Sequence, residues 1–112
     1  MTTFRKQRSK ILASISELAK EKAEEVYGVV ALVPSKSFVD NIDTLLKKEN
    51  NNGGVTVRTS KDGYEITIHC VLAYGSNVVE VVNELQSHVR YSLEKKLKIS
   101  VKQLNVFIKN IK

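Results

Sequence analysis

The passage LAYGSNVVEVVNELQSHVRYSLEKKL, Leu72 to Leu97, limits the fold of this chain more than any other stretch. Gly75 closes a strand, Asn77 stands at an N-cap position, and Glu80 three residues later completes a capping box with Asn as its first member. Val78, Val81, Val82, Leu85, Val89 and Leu93 then fall on one helical face, while Asn83, Glu84, Ser87, Arg90 and Tyr91 face away. Before this helix, VTVRTSKDGYEITIHCVLAY reads as a hairpin turned at Asp62-Gly63. Tyr64, Ile66, Ile68, Cys70, Leu72 and Tyr74 alternate on one side of its second strand, with Glu65, Thr67 and His69 on a solvated side. After it, ISVKQLNVFIKNI alternates Leu104, Val106 and Ile108 as a last strand, and leaves Phe107 to a helix or a partner. A helix that links two strands of one sheet makes a right-handed crossover, so the last strand runs parallel to the second hairpin strand.

Upstream, SKILASISELAKEKAEEV places Ile11, Leu12, Ile15, Leu18 and Ala19 at helical spacing behind a Ser9 cap. Gly28 interrupts, and VVALV follows as a short β-branched strand that Pro34 ends. SFVDNIDTLLKKE predicts a second helix capped by Ser37, and NNNGG, Asn50 to Gly54, reads as a flexible connector. The expected fold is α+β: a two-layer domain in the order α-β-α-β-β-α-β, its small mixed sheet carrying helices on one face.

A chain of 112 residues, 42% apolar and 27% charged, has the size and balance of one globular domain spanning 1–112. It lacks the roughly 20-residue apolar run of a membrane span, and its start lacks the apolar core of a secretory signal. The lone Cys70 cannot form an internal disulfide, which suits a reducing compartment, so the expected location is cytoplasmic. The net charge of +6 is uneven. Arg5, Lys6, Arg8 and Lys10 make residues 1–9 and the next position basic, an N-terminal arm without an acid, and the last third is basic as well. The body between them is mildly acidic. Such ends can be drawn to nucleic acid, anionic lipid or an acidic partner.

Catalytic chemistry finds no footing. A phosphate loop wraps its ligand with several glycines and a lysine, whereas the Gly75-Ser76-Asn77 junction has one glycine and an acidic Glu80 in the first turn, the pattern of an ordinary cap. His69 and Cys70 are strand neighbours and point to opposite faces, so they cannot share a proton or a metal. Zinc takes about four ligands, and the chain has one Cys and two His. Glu24-Glu25, Asp40/Asp43 and Glu80/Glu84 sit at solvated helical spacings, where nothing raises a carboxyl pKa. His88, at the rim of its helix, is within range of a carboxylate. The expectation is therefore no catalytic residue, no metal and no cofactor. RYSLEKKLKISVK offers one surface for an acidic partner or nucleic acid, made of Arg90, Tyr91, Lys95, Lys96, Lys98 and Lys102. The basic FRKQRSK with Phe4 could approach anionic lipid, but Glu17, Glu21, Glu24 and Glu25 on the same helix would repel that surface.

The segments YGVVALVP, GGVTV, YEITIHCVLAYGSNVVEVVNELQSHVRYSLEK and ISVKQLNVFIKNI resemble the alkaline-shock-protein, or envelope-stress-response, family of Gram-positive bacteria, which includes the YloU-type proteins. The resemblance covers residues 10–111, and VLAYGSNVVEVV is its most specific element. Members often turn with Thr-Gly where this chain has Leu97-Lys98-Ile99, and many follow Tyr-Gly with Ile-Pro where Val78-Val79 stand. The resemblance implies an abundant, membrane-proximal cytoplasmic protein of cell-envelope homeostasis. It also implies tethering through related membrane-anchored domains and supplies no catalytic residues. The function expected is thus a non-enzymatic interaction or scaffold domain, homo-oligomeric and bound to protein partners. The alternative is a small α+β nucleic-acid-binding protein that uses the basic C-terminal third.

Overall fold

The computed structural model describes residues 2–33 and 49–111, and the elements below are those of the described residues. They follow in the order α1 (Thr2–Glu24), β1 (Val29–Leu32), β2 (Glu49–Asn52), β3 (Val55–Ser60), β4 (Gly63–Leu72), α2 (Val78–Lys96) and β5 (Val101–Ile111). The α+β class, the mixed sheet and the parallel crossover agree with the sequence reading. The helix expected after Ser37 lies outside the described residues.

β4 organises the sheet. β5 pairs parallel with it along one side, from Tyr64↔Val101 to Leu72↔Ile111. On the other side β3 pairs antiparallel with its first half, from Ser60↔Gly63 to Val55↔Ile68, and β1 with its last residues, Cys70 to Leu72. His69 marks the join. Its carbonyl accepts from Val33 N at 2.9 Å and its amide donates to Gly54 O at 2.8 Å, so neither backbone group is stranded where one neighbour gives way to the next. β2 lies outside β3.

β2 corrects the reading of Asn50 to Gly54 as a flexible connector. Glu49–Asn52 pair with Arg58–Val55, and Gly53 and Gly54 form the turn with φ of +52° and +100°. Two successive positive φ values are what a two-residue hairpin turn needs, and Gly-Gly supplies them without a side-chain clash. A Cβ on Gly54 would also stand 2.8 Å from Val33 N, so the β1 end of the chain can pass there only because this residue has none.

Both helices pack on one face of the sheet. Ile15, Ala19 and Ala23 of α1 and Leu85, Val89 and Leu93 of α2 are fully buried against Val55, Val57, Ile66, Ile68, Cys70 and Leu72. Each large aliphatic side chain so buried contributes roughly 1.5–3 kcal/mol relative to exposure. α2 starts as its sequence demands, with Asn77 Oδ1 accepting from Glu80 N at 3.2 Å. α1 does not start at Ser9. It begins at Thr2, and the residues expected to form a basic arm are its first turns. Arg, Lys and Gln are good helix formers, and a single Ser inside the run costs little. β4 in turn ends at Leu72, before Tyr74, which is exposed. The Ala73 amide leaves the ladder and donates to Gly28 O at 2.8 Å, which turns the chain toward α2.

Candidate functional site

Of the basic residues at the end of α2 and the start of β5, Arg90, Lys95 and Lys102 have partners within the chain. Arg90 leans toward β5, its Nη1 donating to Val101 O at 3.1 Å. Lys102 lies 3.8 Å from Asp62 at the hairpin turn. Lys95 donates to the Tyr91 hydroxyl at 2.9 Å, a bond that raises its pKa. Lys96 and Lys98 are exposed at the helix end, and Lys98 holds a left-handed φ of 54°. Tyr91 is exposed on α2. With Glu80, Asn83, Glu84, Ser87 and His88 it lines a shallow groove along α2 whose charge is acidic rather than basic. There His88 Nε2 meets Glu25 Oε1 at 3.0 Å, the carboxylate contact its position suggested, and this bond, with Lys22 nearby, holds the Glu25 carboxyl below its ordinary range.

His69 and Cys70 occupy opposite faces of β4. Cys70 is in the core, where loss of solvation pushes its thiol pKa up. His69 stands on the face away from the helices, where burial and the Lys109 charge push its pKa down. Its ring stacks on Phe107 of β5 with centroids 5.3 Å apart and planes 16° from parallel. The sequence marks both residues as outward but not as a pair, because the parallel register His69↔Phe107 is a tertiary fact. Among the described residues no three His, Cys, Asp or Glu side chains group as metal ligands, and no helix is long and apolar enough to cross a membrane.

At the Gly75 junction, Ser76 Oγ donates to Ala73 O at 2.7 Å and Asn77 takes the Glu80 amide. One first-turn donor, the Glu80 amide, is thereby engaged by the chain's own Asn77 side chain. The recess beside them is bounded by Tyr27, Gly28, Val29, Ala73, Tyr74, Gly75 and Ser76, an apolar rim rather than an anion cradle.

The remaining feature is the outer side of β5. At its start the outward backbone groups are served by α2: Val101 N donates to Glu94 Oε2 at 3.4 Å, Val101 O accepts from Arg90, and Leu104 O accepts from Gln86 Nε2 at 3.1 Å. Beyond Leu104 this cover stops among the described residues, and Phe107, 52% exposed, and Ile108, 36% exposed, follow. An uncovered strand edge beside exposed apolar side chains is a surface for another chain.

The family pattern described as alkaline shock protein 23, cell envelope-related function, matches residues 6–112. An uncharacterized protein of Streptococcus pyogenes serotype M6, Spy1614, is 33% identical over 98 residues, 88% of this chain and 81% of that one. Two proteins of Bacillus subtilis strain 168 named as uncharacterized are also similar. YloU is 26% identical over 88% of this chain and 82% of its own length, and YqhY 28% identical over 87% and 70%. No solved structure matches the chain.

Proposed function

Because the chain belongs to the alkaline shock protein 23 family, whose function is cell envelope-related, we propose that it is a non-enzymatic interaction domain of envelope homeostasis. It acts through protein-protein contacts close to the membrane, with related membrane-anchored domains or further copies of itself as partners. The observation that carries this reading is β5, whose edge is covered by α2 only as far as Leu104 and then exposes Phe107 and Ile108. Such an edge offers main-chain hydrogen bonds for affinity and side chains for choice of partner. Purified protein should sediment as more than a monomer, and crosslinked capture from cells should recover a defined protein partner or further copies of the chain. Monomeric behaviour at high concentration, together with capture of the bait alone, would end the proposal.

A second reading, nucleic-acid binding by the basic C-terminal third, is favoured by the exposed Lys96 and Lys98. It is weakened by the internal contacts of Arg90, Lys95 and Lys102. It requires salt-dependent retention on RNA or heparin that neutral replacements of Lys96 and Lys98 abolish.

A further inference from the structure

Leu104 turns its carbonyl away from β4, toward Gln86. Strand residues alternate, so Val106 and Ile108 turn their amides and carbonyls outward too, while Asn105 and Phe107 turn theirs toward β4. The pairing of His69 with Phe107 and of Cys70 with Ile108 keeps this alternation regular up to the irregularity after Ile108. The outward groups of Val101 and Leu104 meet α2 side chains, and those of Val106 and Ile108 meet none among the described residues. β1 and β2, which flank residues 34–48, both lie on the opposite side of β4 from β5.

We propose that β5 pairs antiparallel with β5 of a second copy of this chain, about a two-fold axis at Phe107, joining two sheets into one. The proposal rests on the interaction-domain reading and names its partner and its surface. Self-complementarity of the strand argues for a second copy. Rotation about Phe107 sets Val106 against Ile108 of the other copy, so the two outward residues exchange their hydrogen bonds as a pair. It sets Lys109 against neutral Asn105, so no like charges meet in this stretch. It sets Phe107 against its own equivalent. The Phe107 ring already has His69 on one face, and the dimer places an aromatic ring on the side that is exposed here, extending the stack across the axis. Isologous contacts of this kind close as dimers.

The test is a disulfide. In the proposed pairing Phe107 forms a non-hydrogen-bonded pair with itself, its Cα atoms about 4.5 Å apart, within the span that a disulfide bridges. Phe107→Cys should therefore give a covalent dimer on mild oxidation. Lys102→Cys, in the half of the strand that α2 covers, should not. Ile108→Lys places a charge beside the axis in both copies, and should weaken self-association by about tenfold or more. Ile108 is exposed, so that variant should keep its fold, checked by an unchanged unfolding curve. If the protein self-associates but Phe107→Cys does not crosslink and Ile108→Lys has no effect, this edge is the wrong surface while the interaction reading stands. If Phe107→Cys crosslinks only to a different protein, a second copy is the wrong partner. If the chain neither self-associates nor captures a partner, both ideas fall.

Discussion

The chain contains the dipeptide Tyr-Gly twice, and the two copies sit side by side in the fold. Tyr27-Gly28 leads from α1 into β1, and Tyr74-Gly75 leads from β4 into α2. Both tyrosines are almost fully exposed, both glycines have positive φ, +102° and +87°, and the Ala73 amide bonds to Gly28 O, joining one turn to the other. Yet the glycines are needed for different reasons. A Cβ on Gly28 would lie 2.7 Å from Val81 Cγ2 and 3.6 Å from Ser76 Cβ, whereas a Cβ on Gly75 would meet nothing within 4 Å. Gly75 is a matter of backbone conformation alone. Gly28 is that, and also the place where α2 rests on the turn that enters β1.

The largest effect expected is from Gly28→Ala. Left-handed backbone costs a non-glycine residue about 1–2 kcal/mol, and overpacking adds roughly 1–3 kcal/mol. Urea unfolding should show both parts, and in a Val81→Ala background the packing part should shrink, leaving a coupling in the double-mutant cycle. Gly75→Ala should cost only the backbone part, about 1–2 kcal/mol. Equal losses at the two glycines would break the distinction. Asn77→Ala, which removes the cap next to the open turn, should cost about 1 kcal/mol by the same measurement. Lys98 tests the backbone part alone and in reverse. It holds φ +54° just past α2 without being glycine, so Lys98→Gly should raise stability by roughly 0.5–1 kcal/mol once the entropy of the unfolded chain is set against the relieved strain.

This contrast also shows where sequence reasoning reached and where it stopped. The helix of Val81, Leu85, Val89 and Leu93, the Asn77 cap and the β4–β5 crossover were legible because local periodicity and capping chemistry act within a few residues. The turn at Gly53-Gly54 is equally local, and Gly-Gly ahead of alternating Val55 and Val57 is hairpin chemistry, but the Asn run before it has the composition of a polar connector and masks that signal. Other features were out of reach. That Arg90 and Gln86 cover the start of β5, or that His69 stacks on Phe107, depends on which strand lies beside which and in what register. No spacing along the chain encodes that. Arg90 and Tyr91, adjacent in sequence, serve different sides of α2 for the same reason: one is drawn to a β5 carbonyl, the other lines the groove with His88.

The polar link beside Gly28 yields the smallest effect and the finest test of the comparison. Glu25, two residues before Tyr27, reaches His88 on α2, so this turn is fastened to the helix by a hydrogen bond as well as by the Gly28–Val81 contact. The Tyr74 turn is held by its cap, by the Ser76 hydroxyl on Ala73 O and by the Ala73 amide on Gly28 O. The His88 bond and then Lys22 hold the Glu25 pKa below its ordinary 4.5 in the folded chain. A depressed carboxylate contributes stability that is complete above its unfolded pKa and is lost as pH falls through the folded one. The stability advantage of the native chain over Glu25→Gln should therefore hold steady near neutrality and shrink as pH drops below 4.5. A carboxyl-carbon NMR titration should place the Glu25 midpoint below that value, and His88→Ala should move it back up. A midpoint at or above the ordinary value in the native chain would mean that Glu25 and His88 are not joined in solution, and that packing alone fastens the first turn to α2.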